Sequence, residues 1–149
     1  MTSDRVQVVA HPHTGKPAGV LIVENETLIA SFIDAVLELS GFRVAGIASS
    51  GPEALVLAAE TRPALALIDI RLNGPLDGAE LACLLRDRLA IPAILMSGLF
   101  DWDILQRANA ARPLGFILKP FSPSQVFNAI ERTLGQTAAL HATTLQKAG

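Results

Sequence analysis

Four times in this chain a short apolar run stops on a polar or charged residue. Val20-Leu21-Ile22-Val23 stops on Glu24-Asn25-Glu26, and Ala64 to Ile68 stops on Asp69. Ala93-Ile94-Leu95-Met96 stops on Ser97-Gly98, and Gly115-Phe116-Ile117-Leu118 stops on Lys119-Pro120. Apolar runs of this length, bounded by turn residues, are what strands buried on both faces look like. Arg43 to Ala48 reads as a further short strand. Between these runs the period changes. Leu28, Ile29, Phe32, Ile33, Val36, Leu37 and Leu39 recur at helical spacing from Thr27, and Gly41 supplies the stop.

The other helices announce their ends. Ser50-Gly51-Pro52-Glu53 has the form of a capping box before Ala54, Leu55, Leu57, Ala58 and Ala59, and Arg62-Pro63 closes that helix. A third helix is expected over residues 78–89, broken by Pro92, and a fourth over residues 101–111 with Asp101 as its cap. Ser122-Pro123-Ser124-Gln125 opens a fifth, with a capping-box form and an early helical proline. Five strands alternating with five helices predict an α/β fold, a parallel sheet with helices on both faces. The polar strand ends then face one crevice, where open α/β sheets place their sites.

At 149 residues the chain is expected to form one domain. Half its residues are hydrophobic and the mean hydropathy is +0.41, yet every apolar run is interrupted well short of a membrane span. The amino terminus lacks the pattern of a signal peptide, and the lone Cys83 makes no internal disulfide, so a cytoplasmic location is expected. Net charge is −2, with Lys and Arg scattered singly, which argues against direct nucleic-acid binding. Cys83, among Leu81, Leu84 and Leu85, reads as a core residue. Residues 1–18 read as a flexible N-terminal extension in which Val6 to Ala10 can pair as a strand. Its His11 and His13 lack a third ligand and read as solvated. Residues 136–149 read as a short tail, with no output domain.

Glu24 and Asn25, Asp69, Ser97 and Lys119, with the Lys-Pro-Phe ending and the Asp77-Gly78 step after the Asp69 loop, resemble the receiver domain of bacterial two-component response regulators. The resemblance covers residues 19–135 and is to stand-alone receivers of the chemotaxis-regulator kind. It implies a flavodoxin-like (βα)5 fold with Asp69 as the phosphoacceptor, taking a phosphoryl group from a histidine kinase or a histidine phosphotransfer protein. It also implies Mg²⁺ on Glu24, Asn25, Asp69 and the Arg71 carbonyl, with Lys119 and Ser97 contacting the phosphoryl group. Ser97 and Phe116 would form the switch. The face made by the predicted fourth helix, the fifth strand and the fifth helix would then address a downstream protein target or form a homodimer, with Trp102 near it. No enzyme activity is expected beyond the chain's own phosphorylation and dephosphorylation.

The chain also departs from the family pattern. Residue 25 is Asn where a second acid is usual, and Glu24 stands where Asp is commoner, so weak Mg²⁺ binding is expected. The loop after Asp69 is longer than usual, and its glycines permit a tight turn. Arg71 and Leu99 hold the positions that tune dephosphorylation, and neither orients a water well, so slow self-dephosphorylation is expected. Two alternatives stand beside this reading. One is a degenerate receiver that binds proteins without phosphorylation, for which Asn25 speaks. The other is an aspartate-nucleophile phosphatase, which generally carries an acid where this chain has Arg71.

Overall fold

The computed structural model describes residues 18–98, 103, 106, 109 and 112–148. Five strands form a single parallel sheet: β1 (Gly19–Val23), β2 (Arg43–Ala48), β3 (Leu65–Asp69), β4 (Ala93–Ser97) and β5 (Gly115–Leu118). Their order is β2-β1-β3-β4-β5, and every neighbouring pair is parallel. The helices bounded among the described residues are α1 (Thr27–Leu39), α2 (Gly51–Thr61), α3 (Gly78–Leu89) and α4 (Pro123–Ala148).

Alternation along the strands divides the core in two, because successive side chains of a strand point to opposite faces. Val20 and Ile22 of β1 join Leu65 and Leu67 of β3 against Ile33 and Leu37 of α1 and Val126 and Ile130 of α4. Leu21, Val23, Ala66 and Ile68 face the other way, against Ala54 and Ala58 of α2 and Leu81 and Leu85 of α3. The sheet is therefore doubly wound, as expected, and β1 and β3 flank the point where the winding reverses. That is where α/β sheets open a crevice beyond their strand ends.

Local signals set the helix boundaries. Ser50 Oγ accepts the Glu53 N–H at 3.3 Å, while the Glu53 carboxylate reaches past Ser50 and accepts from the Ser49 N–H and hydroxyl. At the start of α4 the reciprocal box is complete, with Gln125 N–H donating to Ser122 Oγ and Ser122 N–H donating to Gln125 Oε1. Asp77 Oδ1 caps α3 by accepting from the Glu80 N–H at 2.8 Å. Gly41 stops α1 with φ 85°.

α4 continues to Ala148, so the stretch read as a tail from residue 136 carries on the helix. No proline interrupts it, and Ala, Leu, Gln and Lys are good helix formers. Of the expected helix over residues 101–111, only Asp103, Gln106 and Asn109 are described. The N-terminal extension with His11 and His13 lies outside the described residues, as do Leu99 and Trp102. Among the described residues, no helix is long and apolar enough to cross a membrane.

Candidate functional site

Parallel strands side by side deliver their last residues to one edge, and three of those ends carry the site. Glu24 follows β1 directly, Asp69 is the final residue of β3, and Lys119 follows β5. Between the last two, Ser97 ends β4 and is buried, and its carbonyl accepts the Lys119 N–H at 2.7 Å. Backbone pairing of β4 with β5 thus sets where the lysine leaves the sheet.

The lysine ammonium lies between two carboxylates. Lys119 Nζ is 3.1 Å from Glu24 Oε2 and 3.2 Å from Asp69 Oδ2. The second oxygen of each acid is held by its own chain. Glu24 Oε1 accepts the Glu26 N–H at 3.1 Å, and Asp69 Oδ1 accepts the Arg71 N–H at 3.0 Å. Glu24 and Asp69 are 2% and 5% exposed, whereas the lysine side chain keeps one fifth of its surface in solvent. The cation is the most exposed member of the cluster.

Burial, and then the negative charge of Asp69, push the Glu24 carboxyl above the ordinary glutamate range, against the pull of the Glu26 N–H and Lys119. Burial alone would lower the Lys119 ammonium, but the charges of Asp69 and Glu24 outweigh it and hold its pKa above the usual lysine value. Two buried acids share one cation, so the site has room electrostatically for more positive charge.

The remaining predicted residues take different positions. Asn25 is partly exposed beside Glu24, and Arg71 is exposed with its main chain turned back to Asp69. Phe116 on β5 is 42% exposed, so it faces outward rather than into the core. Leu99 is not among the described residues. Oxygen donors from Glu24, Asn25, Asp69 and the Arg71 carbonyl suit a hard divalent cation such as Mg²⁺. The two acids already converge on one cation, and this is the observation that makes the set fit.

Two features were not read from the sequence. Gly78 packs so closely on β3 that a Cβ there would collide with the Asp69 carbonyl oxygen and lie 2.7 Å from Ile70 Cα. The Asp77-Gly78 pair therefore closes the loop onto the strand end, a role its turn chemistry signals. Beside Lys119, the side chains of Leu28, Ile29, Phe32, Pro120 and Phe121 line an apolar groove of about 400 Å³. Leu28 is 86% exposed there, and the Phe32 and Phe121 rings lie 6.0 Å apart.

Residues 20–131 match the response regulator receiver domain family. The transcriptional regulatory protein PdtaR of Mycobacterium tuberculosis is 31% identical over 115 residues, which is 77% of this chain and 56% of that protein. The positive alginate biosynthesis regulatory protein of Pseudomonas aeruginosa is 34% identical over 76% of this chain and 46% of its own length. The chain thus spans about half the length of these curated relatives. Among solved structures, the signal receiver domain of a modulated diguanylate cyclase from Desulfovibrio desulfuricans superposes with a TM-score of 0.78 at 35% identity. It covers 82% of this chain and 97% of that one.

Proposed function

Because the chain belongs to the response regulator receiver domain family, we propose that Asp69 is its phosphoacceptor and that the chain is a cytoplasmic phosphorylation-dependent signalling module. The observation that carries this is the shared ion pair: a buried carboxylate at a strand end, held by its own backbone on one oxygen and by Lys119 on the other.

A carboxylate is a weak nucleophile, so positioning and charge neutralisation supply most of the acceleration. An Asp69 oxygen attacks the phosphorus of a phosphohistidine on a kinase or phosphotransfer protein. The new O–P bond forms as the P–N bond breaks, and the bonding pair leaves with the imidazole nitrogen. Lys119 turns its ammonium to the phosphoryl oxygens, and the Ser97 hydroxyl donates a hydrogen bond to one of them. Glu24, Asp69, Asn25 and the Arg71 carbonyl would hold Mg²⁺, which supplies positive charge against the phosphoryl oxygens. The aspartyl phosphate adds about −1.5 to −2 charge at the strand ends. Ser97 and Phe116 then carry the change toward β5 and α4, where a downstream protein target binds.

The donor protein has to approach along the crevice, and the exposed apolar groove at Leu28, Phe32 and Phe121 adjoins Lys119 on that side. The degenerate-receiver reading predicts instead that Asp69 stays unmodified. The decisive experiment offers the chain a panel of phosphorylated histidine kinases with Mg²⁺, and beryllofluoride in parallel. Phosphate incorporation and beryllofluoride binding, both lost in Asp69→Asn, are expected. An Asp69 that takes neither would leave only the constitutive binding role.

A further inference from the structure

The loop that follows Asp69 is pinned at both ends. At its start Leu72 is buried in the α2/α3 side of the core, and at its end Gly78 lies flat against β3. Between them Asn73, Gly74 and Pro75 are exposed, and Gly74 takes the turn at φ 103°. Leu76 is the apolar side chain that brings the exposed stretch back to the protein, packing against the cluster that holds Ala54 and Ala58.

Where Leu76 lands, α2 begins with a buried glycine. A Cβ on Gly51 would lie 2.7 Å from Leu76 Cβ and Cδ2, and 2.8 Å from Cγ. Real Cβ atoms do not approach that closely. Because Leu76 Cβ is itself among the contacts, rotating the side chain would not relieve the overlap, and the loop backbone would have to move. The sign of φ at residue 51 does not call for glycine, although a Cβ just ahead of Pro52 in the helical region carries some strain of its own. Gly51 is not among the glycines with positive φ, and it sits in the first turn of a helix, where alanine is the better former. The severe overlap at this position comes from its neighbour, Leu76.

We propose that Leu76 is a positioning residue for the Asp69 site, seated in the notch that Gly51 leaves open. Its anchorage fixes the loop over residues 71–77, and with it the Arg71 main chain, whose N–H holds Asp69 Oδ1 and whose carbonyl is a metal ligand in the reading above. The inference rests on that reading for its catalytic consequence. It adds a dependence of the acceptor site on the start of α2, a helix that carries none of the site's side chains.

The test uses the full chain with Gly51→Ala, Leu76→Ala and the double variant. Two quantities are read: the Mg²⁺ concentration needed for phosphoryl uptake from acetyl phosphate, and the hydrogen-exchange rate of the Arg71 amide. Each single variant should raise the Mg²⁺ requirement by about tenfold and speed Arg71 exchange. In the double variant the new Cβ on residue 51 still meets the Cβ of residue 76, so neither readout recovers; because both changes disturb one anchorage, the Mg²⁺ requirement should stay near that of Gly51→Ala alone instead of multiplying. A merely structural loss would instead accumulate in the double variant. Singles that leave both readouts at wild type, or a double in which the two losses multiply, overturn the proposal. Should Gly51→Ala not fold, Leu76→Ala decides alone, since it removes the anchor without adding bulk. A wild-type chain that takes no phosphoryl group refutes the phosphoacceptor reading separately. Arg71 exchange then still decides whether Leu76 fixes the loop.

Discussion

Glu24 and Asp69 hold matching sets of partners. Each accepts the backbone N–H two residues further on with one oxygen and the Lys119 ammonium with the other. One cation between two buried carboxylates leaves a deficit of positive charge, and burial first, then the charge of Asp69, raise the pKa of Glu24.

The deficit makes Glu24 a cost to the metal-free protein. Folding lifts its carboxyl above the ordinary value of 4.5, so its contribution is most favourable below that value and is lost as pH rises through the folded one. Glu24→Gln should raise metal-free stability at neutral pH by about 1 kcal/mol, with the advantage fading at the acid end. Lys119, raised above 10.5, stays charged throughout that window and does not confuse the reading. Urea midpoints at acid and neutral pH check this, and a Gln variant less stable at neutral pH would contradict it. The same variant should lose Mg²⁺ affinity.

Asn25 offers an oxygen without a charge. Asn25→Asp should tighten Mg²⁺ binding about tenfold, roughly 1.4 kcal/mol, as measured by calorimetric titration. An unchanged affinity would show that residue 25 does not ligate the ion directly.

Arg71 is exposed two residues after Asp69, and in the proposed reading its guanidinium would orient an attacking water poorly. Once phosphorylated, the parent protein should lose its phosphoryl group several-fold more slowly than Arg71→Asn, followed by phosphate release after the donor is removed. The opposite order would remove Arg71 from the control of phosphoryl lifetime.

Away from the site, α3 ends on Ala90 in the left-handed region, at φ 55°, with its N–H donating to the Arg86 carbonyl. Alanine pays a steric penalty there that glycine does not. Ala90→Gly should therefore stabilise the protein by about 0.5–1 kcal/mol, net of the larger unfolded-state entropy of glycine. A higher thermal midpoint with unchanged Mg²⁺ binding is the expected result.

Much of this was legible from residue patterns alone. Four apolar runs located β1, β3, β4 and β5, and their polar ends named Glu24, Asp69, Ser97 and Lys119, because a fully buried strand has few other places to put a charge. Gly41 and the boxes at Ser50 and Ser122 gave helix ends, since those signals act within one turn. The continuation of α4 past residue 135 was missed because high helix propensity without an apolar stripe looks like a tail. The seat of Leu76 on Gly51 was also missed. It joins residues from separate βα units, and no local pattern records a contact made by the absence of a side chain.

The Glu24–Lys119 pair spans 95 residues, almost the whole length of the sheet-forming chain. A site closed over such a separation cannot be assembled piecemeal. β1 and β3 bring the acids together, and the neutralising lysine is supplied by β5, the last of the described strands in chain order. Long-range closure of this kind comes late because loop entropy must be overcome before the contact is made. In the proposed reading Asp69 would meet its lysine only once the β5 end of the sheet has docked, so phosphoryl uptake would report on a completed sheet.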